Sequence, residues 1–165
     1  LGVAIAPADV GKTCDEVRDE LAVEAAASNA TLRVEKAAGP LWVHCPDVLL
    51  SNVLRNLMKN ALRYLGDSPH REIVVRAVPA GPDVRIEVED GGPGVPEGLE
   101  RRIFEPYVRG PNASAAGLGL GLATVKRIVE AHHGEVGVRR GGERGSVFWF
   151  TLAREGASSP WLLPH

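Results

Sequence analysis

Gly117-Leu118-Gly119-Leu120-Gly121-Leu122 runs without a break into Ala123-Thr124-Val125-Lys126-Arg127-Ile128-Val129-Glu130-Ala131. In the first half three glycines alternate with leucines. In the second, Val125, Ile128, Val129 and His132 recur at helical spacing, which predicts an amphipathic helix. A glycine-rich turn feeding a helix N-terminus is an anion site, because unpaired backbone N–H groups converge there and no Cβ bars a ligand. The same stretch also suits a loop capping an ordinary helix. Neither common phosphate loop fits: Leu122 stands where G-x-G-x-x-G needs its third glycine, and G-x-x-x-x-G-K-[ST] is absent. Partners for any ligand here come from elsewhere in the chain.

A chain of 165 residues suits one domain with a substantial core. Its 19 lysines and arginines nearly balance its 21 aspartates and glutamates, so no electrostatic footprint of a nucleic-acid binder is present. No apolar run approaches membrane-spanning length, and no signal peptide is visible. The first residue is Leu1 rather than Met, so we expect a fragment, with any membrane span outside it. Cys14 and Cys45 lie far apart without metal-like spacing and read as buried free thiols of a reducing, cytoplasmic compartment.

Residues 1–9 read as the end of an upstream element, 10–153 as the domain and 154–165 as a flexible tail carrying Trp161-Leu162-Leu163. Asp9 suits the cap of a helix over 10–28, with Val10, Cys14, Val17, Leu21 and Ala25 on one stripe. Gly11-Lys12-Thr13 has a phosphate-loop look, but Ala6 stands where the upstream glycine belongs, so it reads as helix. Strands are expected at 31–35 and 41–44. Pro46 opens a long helix to about Leu65, buried through Leu49, Leu50, Val53, Leu54, Leu57, Met58, Ala61 and Leu65.

Asn56 and Asn60 interrupt that buried helix one turn apart and on one face. Asparagine is a poor interior helix residue, so the pair needs a reason. Solvated or capping amides are one. The other is a hard-cation site, since an amide oxygen suits Mg²⁺, which takes water and phosphate oxygens for its remaining positions. Arg63 and Tyr64 follow, a cation for phosphate and a ring for a base.

Residues 72–78 and 83–90 are β-rich and joined by a Pro/Gly turn. The second run ends in Asp90-Gly91-Gly92-Pro93-Gly94. A carboxylate at a strand end, followed by glycines, lets a buried acceptor meet a ligand amino group at close backbone approach; the same residues also make a good turn. A short helix is expected over 96–103, then Phe104-Glu105-Pro106-Tyr107-Val108-Arg109. Residues 110–116 have the composition of a mobile flap. Two further strands, 135–139 and 146–152, flank a glycine-rich turn.

The order of these motifs is more specific than any one of them. Asn56-x-x-x-Asn60-Ala61, Asp90-x-Gly92-x-Gly94, Phe104-Glu105-Pro106-Tyr107, Gly117-x-Gly119-Leu120-Gly121-Leu122 and Gly145-Ser146-x-Phe148 follow one another as in a known family. Over roughly residues 10–152 the chain resembles the ATP-binding catalytic domain of bacterial sensor histidine kinases, in the superfamily shared with gyrase, Hsp90 and MutL. The resemblance implies the Bergerat fold: an α/β two-layer sandwich with a mixed sheet of about five strands on three helices. It implies ATP and Mg²⁺ as ligands, with Asn60 on the metal, Asn56 beside it, and Arg63 and Tyr64 near the nucleotide. It further implies Asp90 on the adenine amino group, with Gly92, Gly94, Val95 and Ser146 around it. Arg109 matches a flap-edge phosphate contact, and Gly117, Leu118, Gly119, Leu120 and Gly121 match the hinge and phosphate cradle.

Some positions depart from the pattern. Gly91 stands where the family usually has Asn, losing a polar side chain beside the site, and Leu118 stands where Thr or Ser is common. Both make weaker nucleotide affinity an expectation. Superfamily members that hydrolyse ATP place a Glu one turn before the metal-binding Asn as general base. Here that position is Asn56, whose amide cannot take a proton at neutral pH. This favours histidine phosphorylation, in which the imidazole is itself the nucleophile. None of the five histidines (His44, His70, His132, His133, His165) sits in a phosphoacceptor-like motif. The acceptor is therefore expected on a separate dimerisation domain, with a response regulator downstream, a monomeric fragment here, and a parent protein that is cytoplasmic or anchored in the inner membrane. The alternatives are a nucleotide-binding interaction module that transfers nothing and, less favoured, an ATPase of the superfamily.

Overall fold

The computed structural model describes residues 6–106 and 121–156. Tyr107, Arg109, residues 110–116, Gly117, Leu118, Gly119, Leu120 and Trp161-Leu162-Leu163 lie outside the described residues.

The chain enters through a two-residue strand, β1 (Ala8–Asp9), which pairs antiparallel with β3 (Trp42–Val43). Ala8 and Val43 are both in the core. The Arg154 N–H donates to the Pro82 carbonyl and the Glu155 N–H to that of Trp42, so the last described residues are tied to the same corner. Asp9 caps α1 (Val10–Glu20), its Oδ1 accepting from the Lys12 N–H at 3.1 Å. The helix expected over 10–28 is two helices, because α2 (Ala22–Ala27) restarts after a break at Leu21. There the backbone turns to φ −94°, ψ 4°, and the Leu21 N–H is shared between the Val17 and Arg18 carbonyls, the tightened last turn of a helix end. The apolar stripe survives the break: Val10, Cys14, Val17, Leu21 and Ala25 are all buried.

β2 (Thr31–Val34) forms one edge of a five-stranded mixed sheet ordered β2, β4 (Glu72–Ala80), β5 (Asp83–Asp90), β7 (Ser146–Ala153), β6 (Val136–Arg140). Among the described residues, only the β2–β4 pair is parallel. Alternation sorts the two faces. Ile73, Val75, Val84, Ile86, Val88, Phe148, Phe150 and Leu152 are buried on the face covered by α1, α3 (Asp47–Tyr64) and α4 (Gly121–Ala131). The other face is a charge network. Glu87, almost buried, receives Arg85 at 3.1 Å, Arg139 at 3.4 Å and Arg76 at 3.7 Å, and Arg85 lies 4.2 Å over the Trp149 ring. α3 buries Leu50, Val53, Leu54, Leu57, Met58 and Ala61 as the sequence predicts, and α4 buries Leu122, Val125 and Val129.

Residues 96–103 are turns rather than the expected short helix. Gly98 sits at φ +89°, outside the helical range, and the Leu99 and Arg102 N–H groups close onto carbonyls three residues back. Cys14 and Cys45 are buried free thiols, and burial pushes them up to about 12 and about 11. No helix among the described residues is long and apolar enough to cross a membrane.

Candidate functional site

Helix α3 supplies one wall. Asn56 is half-buried, and its Nδ2 donates to the Asn52 carbonyl at 2.9 Å and to Asn52 Oδ1 at 2.8 Å. Both donors are thereby spent, and the Oδ1 faces the start of α4, where a Cβ on Gly121 would lie 2.9 Å from it. One turn on, Asn60 is buried and its Nδ2 has no hydrogen-bond partner among the described residues. An unsatisfied buried donor costs about 1–3 kcal/mol, so the amide calls for a partner beyond the described residues. Arg63 continues the same helix face and is exposed; Tyr64 is half-buried at the helix end.

The end of β5 supplies the facing wall. Asp90 is 2% exposed. One carboxylate oxygen, Oδ1, accepts from the Gly92 N–H at 2.9 Å; the other, Oδ2, is buried without a partner among the described residues. Burial pushes the carboxyl up to about 6, against the Gly92 and Ser146 amides, which favour the charged form. Gly92 is pressed on the end of α3, with the Tyr64 carbonyl 2.3 Å from where its Cβ would be. Ser146 is buried opposite Asp90 across the β5–β7 pairing, and its Oγ accepts from the Val95 N–H at 2.9 Å. Gly94 passes over this point at φ +88°, close to the Gly145 carbonyl.

Of the residues singled out by sequence, Asn56, Asn60, Tyr64, Asp90, Gly92, Gly94, Val95, Gly121 and Ser146 are brought around one region between α3, the β5 end and the start of α4. Arg63 is on the right helix face but solvent-exposed. Arg109, Gly117, Leu118, Gly119 and Leu120 lie outside the described residues. Gly91 does not behave as the sequence leads one to expect. It continues the strand alternation away from Asp90, and a Cβ there would lie 2.6 Å from both His70 Cβ and the His70 carbonyl. The space of an Asn side chain is taken by the loop after α3.

Two contributors have no place in the motif reading. Asn52, which orients Asn56, extends the four-residue asparagine spacing by one turn, so its signal was in the sequence. Ser68, which donates to the Gly91 carbonyl at 2.5 Å, is joined across 23 positions and left no local signal.

A divalent cation fits this site only in a particular way. Among the described residues no group of three or more His, Cys, Asp or Glu side chains converges. The Asn60 amide can offer an oxygen to a hard cation, and phosphate and water must supply the rest.

Residues 46–156 match the family described as histidine kinase-, DNA gyrase B-, and HSP90-like ATPase. The chain belongs to that family. It is 38% identical over 116 residues to the sensor protein KdpD of Escherichia coli K12, covering 70% of this chain and 13% of KdpD. The structure of full-length ShkA in complex with AMPPNP superimposes with a TM-score of 0.80 at 27% identity, over 97% of this chain and 33% of ShkA. The mycobacterial sensor histidine kinase MprB gives 0.78 at 25% identity, over 90% of this chain and 98% of the MprB chain solved. The chain thus spans a small part of the full-length sensor proteins that it matches. The α/β layering, five-stranded mixed sheet and ATP-binding family expected from the motifs are all borne out.

Proposed function

We propose that this domain binds Mg·ATP and presents the γ-phosphoryl group to a histidine on a separate dimerisation and phosphoacceptor domain of the same parent protein, in two-component signalling. The observation that carries the reading is that two of the three buried side-chain atoms without a hydrogen-bond partner among the described residues, Asn60 Nδ2 and Asp90 Oδ2, lie on two elements that pack together. Both are costly without a partner and both suit one ligand. Asp90 Oδ2 accepts from an adenine amino group, while Asn60 donates through Nδ2 to a phosphate oxygen and turns its amide oxygen to the cation. Mg²⁺, when bound, offsets the charge that develops on the phosphates.

The chain's own residues position rather than activate. Asn56 stands where a general base would be required for hydrolysis, and its amide is tied to Asn52. The attacking imidazole nitrogen, from the partner domain, forms the new N–P bond as the bond from γ-phosphorus to the β–γ bridging oxygen breaks, and ADP leaves with the electron pair. The AMPPNP bound to ShkA supports ATP as the nucleotide. Arg63, Arg109 and residues 117–121 complete the phosphate side. The domain works on the cytoplasmic side, is monomeric by itself and passes its signal to a response regulator. The alternative of a silent nucleotide-binding module draws on Gly91 and Leu118; packing against His70 gives Gly91 a structural reason, and Leu118 lies outside the described residues.

The test is calorimetry of the domain with AMPPNP, with and without Mg²⁺, then ATP with the parent's acceptor domain added. Micromolar binding strengthened by Mg²⁺, and phosphohistidine only on the added domain, are expected. No binding at millimolar nucleotide, or robust phosphohistidine on this chain alone, would overturn the reading.

A further inference from the structure

Asp90 is the last residue of β5, paired in register with Ser146 of β7, and beyond it the chain leaves the sheet ladder. Its local turn supplies one bond, from the Gly92 N–H. The second restraint comes from the loop after α3. Ser68 Oγ donates to the Gly91 carbonyl at 2.5 Å, and the same oxygen accepts from the His70 N–H at 3.2 Å, so the hydroxyl is fixed from both sides. The loop is itself anchored: the Ser68 N–H bonds the Leu65 carbonyl, and Arg71 donates to the Gly66 carbonyl at 2.6 Å and to the Ser28 carbonyl at the end of α2. His70 packs on Gly91 so closely that no Cβ fits between them.

We propose that Ser68 is a positioning residue for base recognition: its hydroxyl, clamped between the His70 N–H and the Gly91 carbonyl, fixes the Gly91–Gly92 peptide, whose N–H holds Asp90 Oδ1, and so aims the carboxylate at the purine amino group. This rests on the reading of Asp90 as the adenine acceptor. Ser68 itself lines the cleft beside Gly92 and Pro93. The family motif is satisfied by Asp90, Gly92 and Gly94 alone, and it contains nothing at Ser68.

The experiment compares ATP with purine riboside triphosphate, which lacks the amino group, in calorimetric titrations of the wild-type chain, Ser68→Ala and Ser68→Thr. Wild type should prefer ATP. Ser68→Ala should lose about three- to tenfold in ATP affinity, the worth of one hydrogen bond, with little change for the analogue. Ser68→Thr, which keeps the hydroxyl, should restore the preference. A wild-type chain that binds both nucleotides equally would overturn the Asp90 reading. A wild-type preference kept in full by Ser68→Ala, or equal losses for both nucleotides, would overturn the role of Ser68 and leave Asp90 in place.

Discussion

Gly92 sits against the Tyr64 carbonyl so closely that a Cβ built on it would lie 2.3 Å from that oxygen. The turn that carries Asp90 and the end of the helix that carries Asn60 are therefore in backbone contact. The Asp90 turn and the end of α3 are thereby coupled in position. Gly92→Ala has to part them, and overpacking of this kind costs about 1–3 kcal/mol. Lower thermal stability together with a large loss of AMPPNP affinity is expected. Unchanged melting and binding would show that the turn yields freely.

Asp90 makes a pH prediction whose sign is opposite to that of an ion-paired carboxylate. Its pKa is raised from 3.8 to about 6, chiefly by burial. Between those values the folded chain keeps a proton that the unfolded chain has lost, so stability falls as pH rises through this window. Above about pH 6 the ionised, half-satisfied carboxylate costs on the order of 2–3 kcal/mol. Asp90→Asn removes that cost. The variant should gain melting temperature relative to wild type at about pH 8, lose that gain toward about pH 4, and bind no ATP at either. A constant difference across thermal scans would contradict the buried, raised carboxyl.

The same conflict between stability and binding is expected at Asn60. Its buried Nδ2 has no partner among the described residues. Leucine has a similar volume and no donor to strand. Asn60→Leu should be neutral or stabilising by about 1–2 kcal/mol, in keeping with removal of an unsatisfied polar group, and should abolish the Mg²⁺-dependent part of nucleotide binding. Thermal melts and calorimetry with and without Mg²⁺ check both halves. Marked destabilisation would mean that the amide serves the fold.

What the sequence made legible was local. The asparagine pair on α3, the Asp90-x-Gly92 strand end and the apolar stripes of α1, α3 and α4 are periodic or contiguous, so spacing alone places them. Three features were not readable this way. The break at Leu21 leaves the apolar stripe intact, so hydrophobic periodicity does not register it. Residues 96–103 have helical composition, yet Gly98 takes a left-handed φ that composition cannot disclose. Ser68 and His70 act on Gly91 through a contact made only when the loop after α3 folds back on the end of β5. Gly91 shows the consequence: its lost side chain reads in sequence as a defect of the site, whereas its missing Cβ makes room for His70.

That difference can be measured. Gly91→Asn restores the residue usual in the resembling family, and if the glycine were a defect, nucleotide affinity would rise. The packing demands the reverse. A Cβ at position 91 meets His70 Cβ and the His70 carbonyl, both at 2.6 Å, so the loop must retreat and the Ser68 bond to the Gly91 carbonyl must lengthen or break. Gly91→Asn should cost about 1–3 kcal/mol of stability and weaken ATP binding. Adding His70→Gly removes the Cβ half of the obstruction and leaves the carbonyl, so the double variant should recover part of both losses. Equilibrium unfolding of the four chains gives the coupling between the two positions directly. Additive effects, or tighter ATP binding by Gly91→Asn alone, would show that His70 is a bystander.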